Sequence, residues 1–366
     1  SALGLKAHQV DIKGQTAISQ LGGTNAPPTG PARAAVNGHS GSIFVKVPRA
    51  DDRVFSYAFQ AVGGKRGLAA RKLLVEAELA KNKPSAPDVY LGTAPFRAQF
   101  TPDGAIVDGS IVMSTNPNDG EVIDWGLVMT RLMPHQNLGH MIQDGQDVST
   151  HIPKLVSAIA KMHRRNPSLR QDDPQSHYAA VYNMYSELIV HQIGPAADRA
   201  GFNLDLMLLG KLNHDALESC RETIEARCRA GAVGNHHADL HKDNLWIVDG
   251  AAVLLDGIAF NDIFAVLDRW QDVAYLIADL KLQGKADLAQ SVQDQYIAEM
   301  GDKPDEDMMN LYIANRILVR TFLELLELGE LVELGRAAKQ DDKTMSLVAS
   351  IEKGLTLAVE HFRKIG

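Results

Sequence analysis

The chain has 366 residues, of which 45% are hydrophobic and 22% charged, the balance of a folded protein long enough for two or three domains. Its formal net charge of -8 argues against a protein whose main task is to grip phosphate backbones, so no nucleic acid is expected as a partner. No membrane is expected either, because no run approaches the roughly 18 uninterrupted apolar residues that cross a bilayer.

The opening "SALGLKAHQVDIKG" lacks the charged-then-apolar layout of a signal peptide, and Cys220 and Cys228 form no CxxC pair. Together these favour a reduced, cytoplasmic setting. Turn signals then alternate with short β-prone runs. "ARAAVNGHSGSIFVKVPR" reads as a hairpin whose second strand draws its β propensity from Ile43, Phe44, Val45 and Val47. Residues 67–82, "GLAARKLLVEAELAKN", are helix formers that stop before Pro84, which predicts one helix. "DVYLG", "GAIVDGSIVMS" and "VIDWGLVMTRLM" follow as strands, broken at "PDG" and "NPNDG".

From "STHIPKLVSAIAKMHRRN" the apolar spacing becomes helical, with Ile152, Leu155, Val156, Ile159 and Met162 at three- and four-residue steps. Helices are also predicted over 176–193, 204–230, 268–282, 285–300 and much of 304–364, interrupted by a β-hairpin in "NLWIVDGAAVLLDGIAF". The expected organisation is α+β, with a small β-rich lobe at 1–130 and a larger helical lobe at 131–366.

The chemistry concentrates in "HHADLHKDN", residues 236–244, just before that hairpin, whose return strand ends on Asp256. Asn244 and Asp256 offer an amide oxygen and a carboxylate, hard ligands suited to Mg²⁺, while Asp239 remains to orient or deprotonate a hydroxyl. A second reading takes His236, His237, Asp239 and His241 as zinc ligands of a metallohydrolase. Adjacent histidines rarely aim at one ion, and that reading leaves Asp256 without a role.

His237, Asp239, Asn244 and Asp256 match, in order and spacing, the H-x-D-x-x-x-x-N pattern and strand-end Asp of the aminoglycoside phosphotransferase and choline kinase group, which this chain resembles. "AFNDIFAVLDRWQDVAYLIADL", "VEAELAKNKPSAPDVYLG" and "LYIANRILVRTFLEL" extend the resemblance to a bacterial aminoglycoside-phosphotransferase-like branch. No G-x-x-x-x-G-K-[ST] occurs, so the P-loop domain of some members is expected to be missing. The resemblance implies a two-lobed protein-kinase-like fold and an ATP- and Mg²⁺-dependent small-molecule kinase. In that role Asp239 is the catalytic base and Asn244 and Asp256 are the metal ligands. It further implies a strand lysine for the phosphates, Lys46, and a helix glutamate to pair with it. Glu76 is the first choice, and Glu78 points to another side of the helix.

The segment Met129 to Met133, including Arg131, is expected to contact the adenine, and "LGGTNAPPTGPA" at 21–32 is the nearest candidate for a phosphate-covering loop. His237 is expected to brace the loop, with His236 and His241 as partly exposed bystanders. Asp272 either satisfies N–H groups at a helix start or supports the catalytic loop. Arg316 and Arg320, one helical turn apart, either pair with carboxylates or line the acceptor pocket. Ala238, Ala259 and Ala265 depart from the family's usual Gly, acidic residue and Arg. The weak glycine loop and these changes also motivate a reading as a nucleotide-binding regulator without transfer activity.

Overall fold

A computed structural model of the chain describes residues 7–13, 16–21, 43–48, 67–333 and 342–366. It divides into two compact units, 1–140 with 246–262, and 141–245 with 263–366.

The first unit is built on strands β1 (Ala7–Lys13), β2 (Thr16–Leu21) and β3 (Ile43–Pro48), helix α1 (Leu68–Asn82), and strands β4 (Tyr90–Ala98), β5 (Val112–Met113) and β6 (Glu121–Thr130). The strands form one antiparallel sheet in the order β1-β2-β3-β6-β4-β5. Register decides what each face carries. Val45 pairs with Val128 and Lys46 with Leu127, so the two-residue period of a strand sends Val45 and Lys46 to opposite faces. Val45 and Val128 pack with Leu91, Phe96 and Met113. Leu127 packs with Val75 of α1 and with Val89 and Tyr90, which puts Lys46 on the helix side of the sheet. Arg71 of α1 donates to Asp124 of β6 at 2.7 Å and ties the helix to that face.

Two expectations for this unit change. "GAIVDGSIVMS" contributes only the two residues of β5, because Gly104 and Gly109 take φ values of 85° and 71° that interrupt an extended chain. β3 pairs with β2 and β6, and the strand expected just before it, like the 21–32 loop beyond Leu21, lies outside the described residues.

The short helix α2 (Leu138–Gln143) leads into α3 (Ile152–Arg165) and α4 (Pro174–Glu187), followed by a π-helical turn at Leu188–Ile193. Then come α5 (Gly194–Ala200), α6 (Leu206–Arg229) and the short strand β7 (Val233–Asn235). The apolar stripe predicted for α3 is buried from Ile152 to Met162. The hairpin β8 (Leu245–Val248) and β9 (Ala251–Leu254) turns at Asp249-Gly250, both with positive φ as a tight two-residue hairpin turn requires. Leu255, just past it, enters the core of the sheet-bearing unit beside Val75 and Tyr90.

After α7 (Asp262–Ala265), β10 (Val266–Asp268) pairs with β7. The chain ends in α8 (Arg269–Leu282), α9 (Ala286–Met300), α10 (Glu306–Glu333) and α11 (Asp342–Phe362). Every residue of α8 from Trp270 to Leu280 is buried, and α10 buries most of its first three turns. A helix apolar all round belongs inside a bundle, so any acid on it needs a bonding partner. Arg227 of α6 meets Asp268, the buried acid just ahead of α8, at 2.6 Å and 2.9 Å, and also binds Asp302 at 3.0 Å. Among the described residues no helix is long and apolar enough to cross a membrane.

Candidate active site

The residues singled out in the sequence fall into two groups, one in each unit. In the sheet-bearing unit Lys46 Nζ donates to Glu78 Oε1 at 2.7 Å and to Asp256 Oδ1 at 2.9 Å. The partner of Lys46 is therefore Glu78. Glu76, two residues earlier and so far around the helix, pairs with Lys72 at 3.5 Å across an exposed turn. Burial opposes the Lys46 ammonium, but the charges of Asp256 and Glu78 outweigh it and hold the group protonated well above its ordinary range.

Asp256 sits at φ 60°, a left-handed conformation that aspartate tolerates better than most residues. Two side chains lock that turn. Tyr90 accepts the Asp256 N–H at 3.0 Å. Asn82, at the end of α1, accepts the Gly257 N–H at 2.7 Å and donates to the Gly257 carbonyl at 3.1 Å. Sequence reasoning missed both. An asparagine ending the helix that carries the glutamate, and a tyrosine opening the next strand, were the available signals. Met129 lies in β6 opposite Phe44, and the Arg131 guanidinium stands 5.6 Å from the Phe44 ring.

In the helical unit the loop 236–244 is held from below by α8. Asp272 accepts the N–H groups of His237 and Ala238 at 2.9 and 2.8 Å, and Asp279 accepts that of Lys242 at 2.8 Å. The two acids are seven residues, about two turns, apart and share one helix face. The start of α8 is capped instead by Asp268, which accepts from Trp270 N–H at 2.7 Å. Burial opposes the Asp272 charge, yet the hydrogen bond from His163 at 3.0 Å and the neighbouring His237 and His236 hold it far below the usual carboxylate range. This bracing accommodates Ala238 at φ 67°, a backbone conformation in which a glycine would be unstrained.

Asn244 donates from its amide to both the main-chain carbonyl and the carboxylate of Asp239, each at 2.9 Å. That commitment leaves the Asn244 amide oxygen as its acceptor atom. That oxygen, like the Asp256 carboxylate in the other unit, is a hard donor of the kind that fits Mg²⁺ chemistry. His237 Nδ1 accepts the Asp239 N–H at 3.3 Å.

His236 and His241 are not exposed bystanders. His236 is buried against His163, with ring centroids 4.5 Å apart. His241 Nε2 lies 3.5 Å from Asp239 Oδ2. Burial would lower the His241 pKa, but Asp239 and Asp243 raise it to about 9. For Asp239, burial acts upward and is overcome by His241, His237 and Arg320, so the carboxylate stays ionised. The zinc reading finds no support in this arrangement. Among the described residues no cluster of three or more His, Cys, Asp and Glu side chains is placed to hold a metal.

Arg316 of α10 lies under the Tyr275 ring of α8, 4.9 Å from its centroid, and Tyr275 in turn lies 5.9 Å from His241. Arg320 is one turn further along α10.

No protein-family model matches the chain. Over 207 residues it is 30% identical to uncharacterized proteins of Mycobacterium tuberculosis and Mycobacterium bovis, a match that takes in 56% of this chain and 41% of theirs. The chain thus covers less than half the length of these curated relatives. Among solved structures, Plasmodium vivax ethanolamine kinase aligns over 99% of this chain and 84% of its own, with a TM-score of 0.50 at 11% identity. Choline kinase from Cryptosporidium parvum aligns over 98% and 90%, with a TM-score of 0.49 at 10% identity. The chain has the two-lobed kinase-like fold that the sequence resemblance implies.

Proposed function

We propose that the protein is an ATP-dependent phosphotransferase that moves the γ-phosphoryl group to a hydroxyl of a small molecule. The observation that carries this reading is the fixed pair Asp239 and Asn244, an ionised carboxylate and an amide set in one buttressed loop. In the proposed reaction the acceptor oxygen forms a bond to the γ-phosphorus, the bond from that phosphorus to the β,γ-bridging oxygen breaks, and ADP leaves. The hydroxyl proton passes to Asp239. A carboxylate held this far toward ionisation orients the hydroxyl and takes the proton as charge develops on the oxygen.

Lys46, kept charged by Glu78 and Asp256, would neutralise the phosphates of the nucleotide, and Met129 and Arg131 would contact its adenine. Asn244 and Asp256 would hold Mg²⁺, which would supply positive charge to offset the charge that develops on the phosphates. Since phosphoryl transfer asks little covalent work of a protein, positioned charge of this kind is its main contribution.

The test is transfer of labelled γ-phosphate to a hydroxyl panel by wild type and Asp239→Asn. The substitution is expected to reduce turnover by about 10²- to 10⁴-fold. Equal turnover would remove Asp239 from the chemistry.

A further inference from the structure

Arg316 and Arg320 stand one turn apart on α10, so their guanidinia lie along one side of that helix. Arg316 is 7% exposed and its buried Nε has no hydrogen-bond partner. Among the described residues neither guanidinium has an ion-pair or hydrogen-bond partner. The carboxylates that Arg320 feels are Asp279, Asp239 and Glu324. Each is engaged elsewhere: Asp279 by Lys242, Asp239 by Asn244 and His241, and Glu324 by the Ser350 hydroxyl at 2.8 Å.

A guanidinium cannot shed its proton, so burying one without an anion is costly. The Tyr275 ring face compensates Arg316 in part, and the charges of Asp279, Asp239 and Glu324 favour the Arg320 guanidinium without any of them hydrogen-bonding it. Arg320 is close enough to Asp239 for the two charges to act on each other, and Arg316 joins the same neighbourhood through Tyr275 and His241. Two planar forks with open hydrogen-bond donors suit a phosphate or carboxylate, which such forks bind in pairs of parallel hydrogen bonds.

We infer that the hydroxyl acceptor is itself an anion, carrying a phosphate or carboxylate group that Arg316 and Arg320 bind while its hydroxyl faces Asp239. This rests on the phosphotransfer reading of Asp239. It sets the acceptor apart from cationic amino alcohols, which two unpaired guanidinia would repel.

The test is a calorimetric titration of inorganic phosphate, and in parallel malonate, into the full chain with and without Mg²⁺ and a saturating non-hydrolysable ATP analogue. At least one anion is expected to bind with the analogue present, and Arg320→Gln to weaken it at least 10-fold while Asp239→Asn does not. The tighter of the two identifies the acceptor's anionic group. Because Arg316 is buried, it is tested as Arg316→Lys, with circular dichroism confirming the fold and a smaller loss expected. Absence of anion binding, or binding untouched by Arg320→Gln, would overturn the inference. So would displacement of the anion by the analogue, since the arginines would then serve the terminal phosphate of the nucleotide. Efficient transfer to ethanolamine or choline, with none to anionic hydroxyl compounds, would overturn it as well. Failure of the phosphotransfer reading itself would be seen separately, as absent analogue binding or as turnover indifferent to Asp239→Asn.

Discussion

The polar groups of the two units are satisfied in opposite ways. In the sheet-bearing unit, Lys46 lies between two carboxylates, Glu78 and Asp256, in a partly solvated cluster. In the helical unit, Asp272 and Asp279 are buried on an apolar helix and spend their charge largely on backbone N–H groups of one loop, while two arginines nearby go unpaired. The first arrangement tunes side chains. The second fixes a backbone, and leaves two guanidinia without an ion pair among the described residues.

If that contrast is right, the largest stability loss comes from the helical unit. Asp272→Ala strands the N–H groups of His237 and Ala238 and the ring of His163, and is expected to cost about 3–5 kcal/mol. Urea denaturation of the full chain measures it, and a loss below about 1 kcal/mol would mean that the loop holds its own shape.

A buried interior also makes the helical unit sensitive to acid. His361 is pushed down to about 3 by burial and by the nearby Lys281 and Lys364, and His177 to about 4 by burial. Both folded values lie below the unfolded value of about 6.5, so the unfolded chain takes up protons first. Stability is complete above about 6.5 and declines as pH falls toward the folded values. His361 alone is expected to remove about 2 kcal/mol between pH 7 and pH 5. His361→Gln should flatten that part of the pH–stability curve, and an unchanged slope would refute the assignment.

The sheet-bearing unit should respond in activity rather than stability. Glu78→Gln is expected to reduce phosphotransfer about 10-fold, as loss of a positioning charge worth roughly 1.4 kcal/mol does. Glu76→Gln is expected to leave both activity and stability within about 0.5 kcal/mol of wild type. Equal effects of the two in the same transfer assay would dissolve the distinction between them.

The smallest effect tests the loop backbone. Ala238→Gly relieves a left-handed alanine and is expected to raise stability by about 0.5–1 kcal/mol. A drop in thermal midpoint would show that the alanine methyl is needed where it lies.

The kinase-like fold was legible because its signals are periodic or local. α1 and α8 coincide with their predicted spans to within a residue or two, and the Asp249-Gly250 turn announces its hairpin. The motif residues were legible because Asp239 and Asn244 lie five apart in one loop, where chain connectivity limits their separation. Glu78 in place of Glu76, the anchoring by Asp279, and the ion pair of His241 with Asp239 were not. Each depends on which face of a helix or strand meets which neighbour, and a rotation of two residues reverses that choice without changing composition or period. Sequence alone therefore determined the main helices, the hairpin and where the reactive loop lies. Tertiary packing decided which charges meet and which stay unpaired, because electrostatic pairing depends on distances that residues far apart in the chain acquire only on folding.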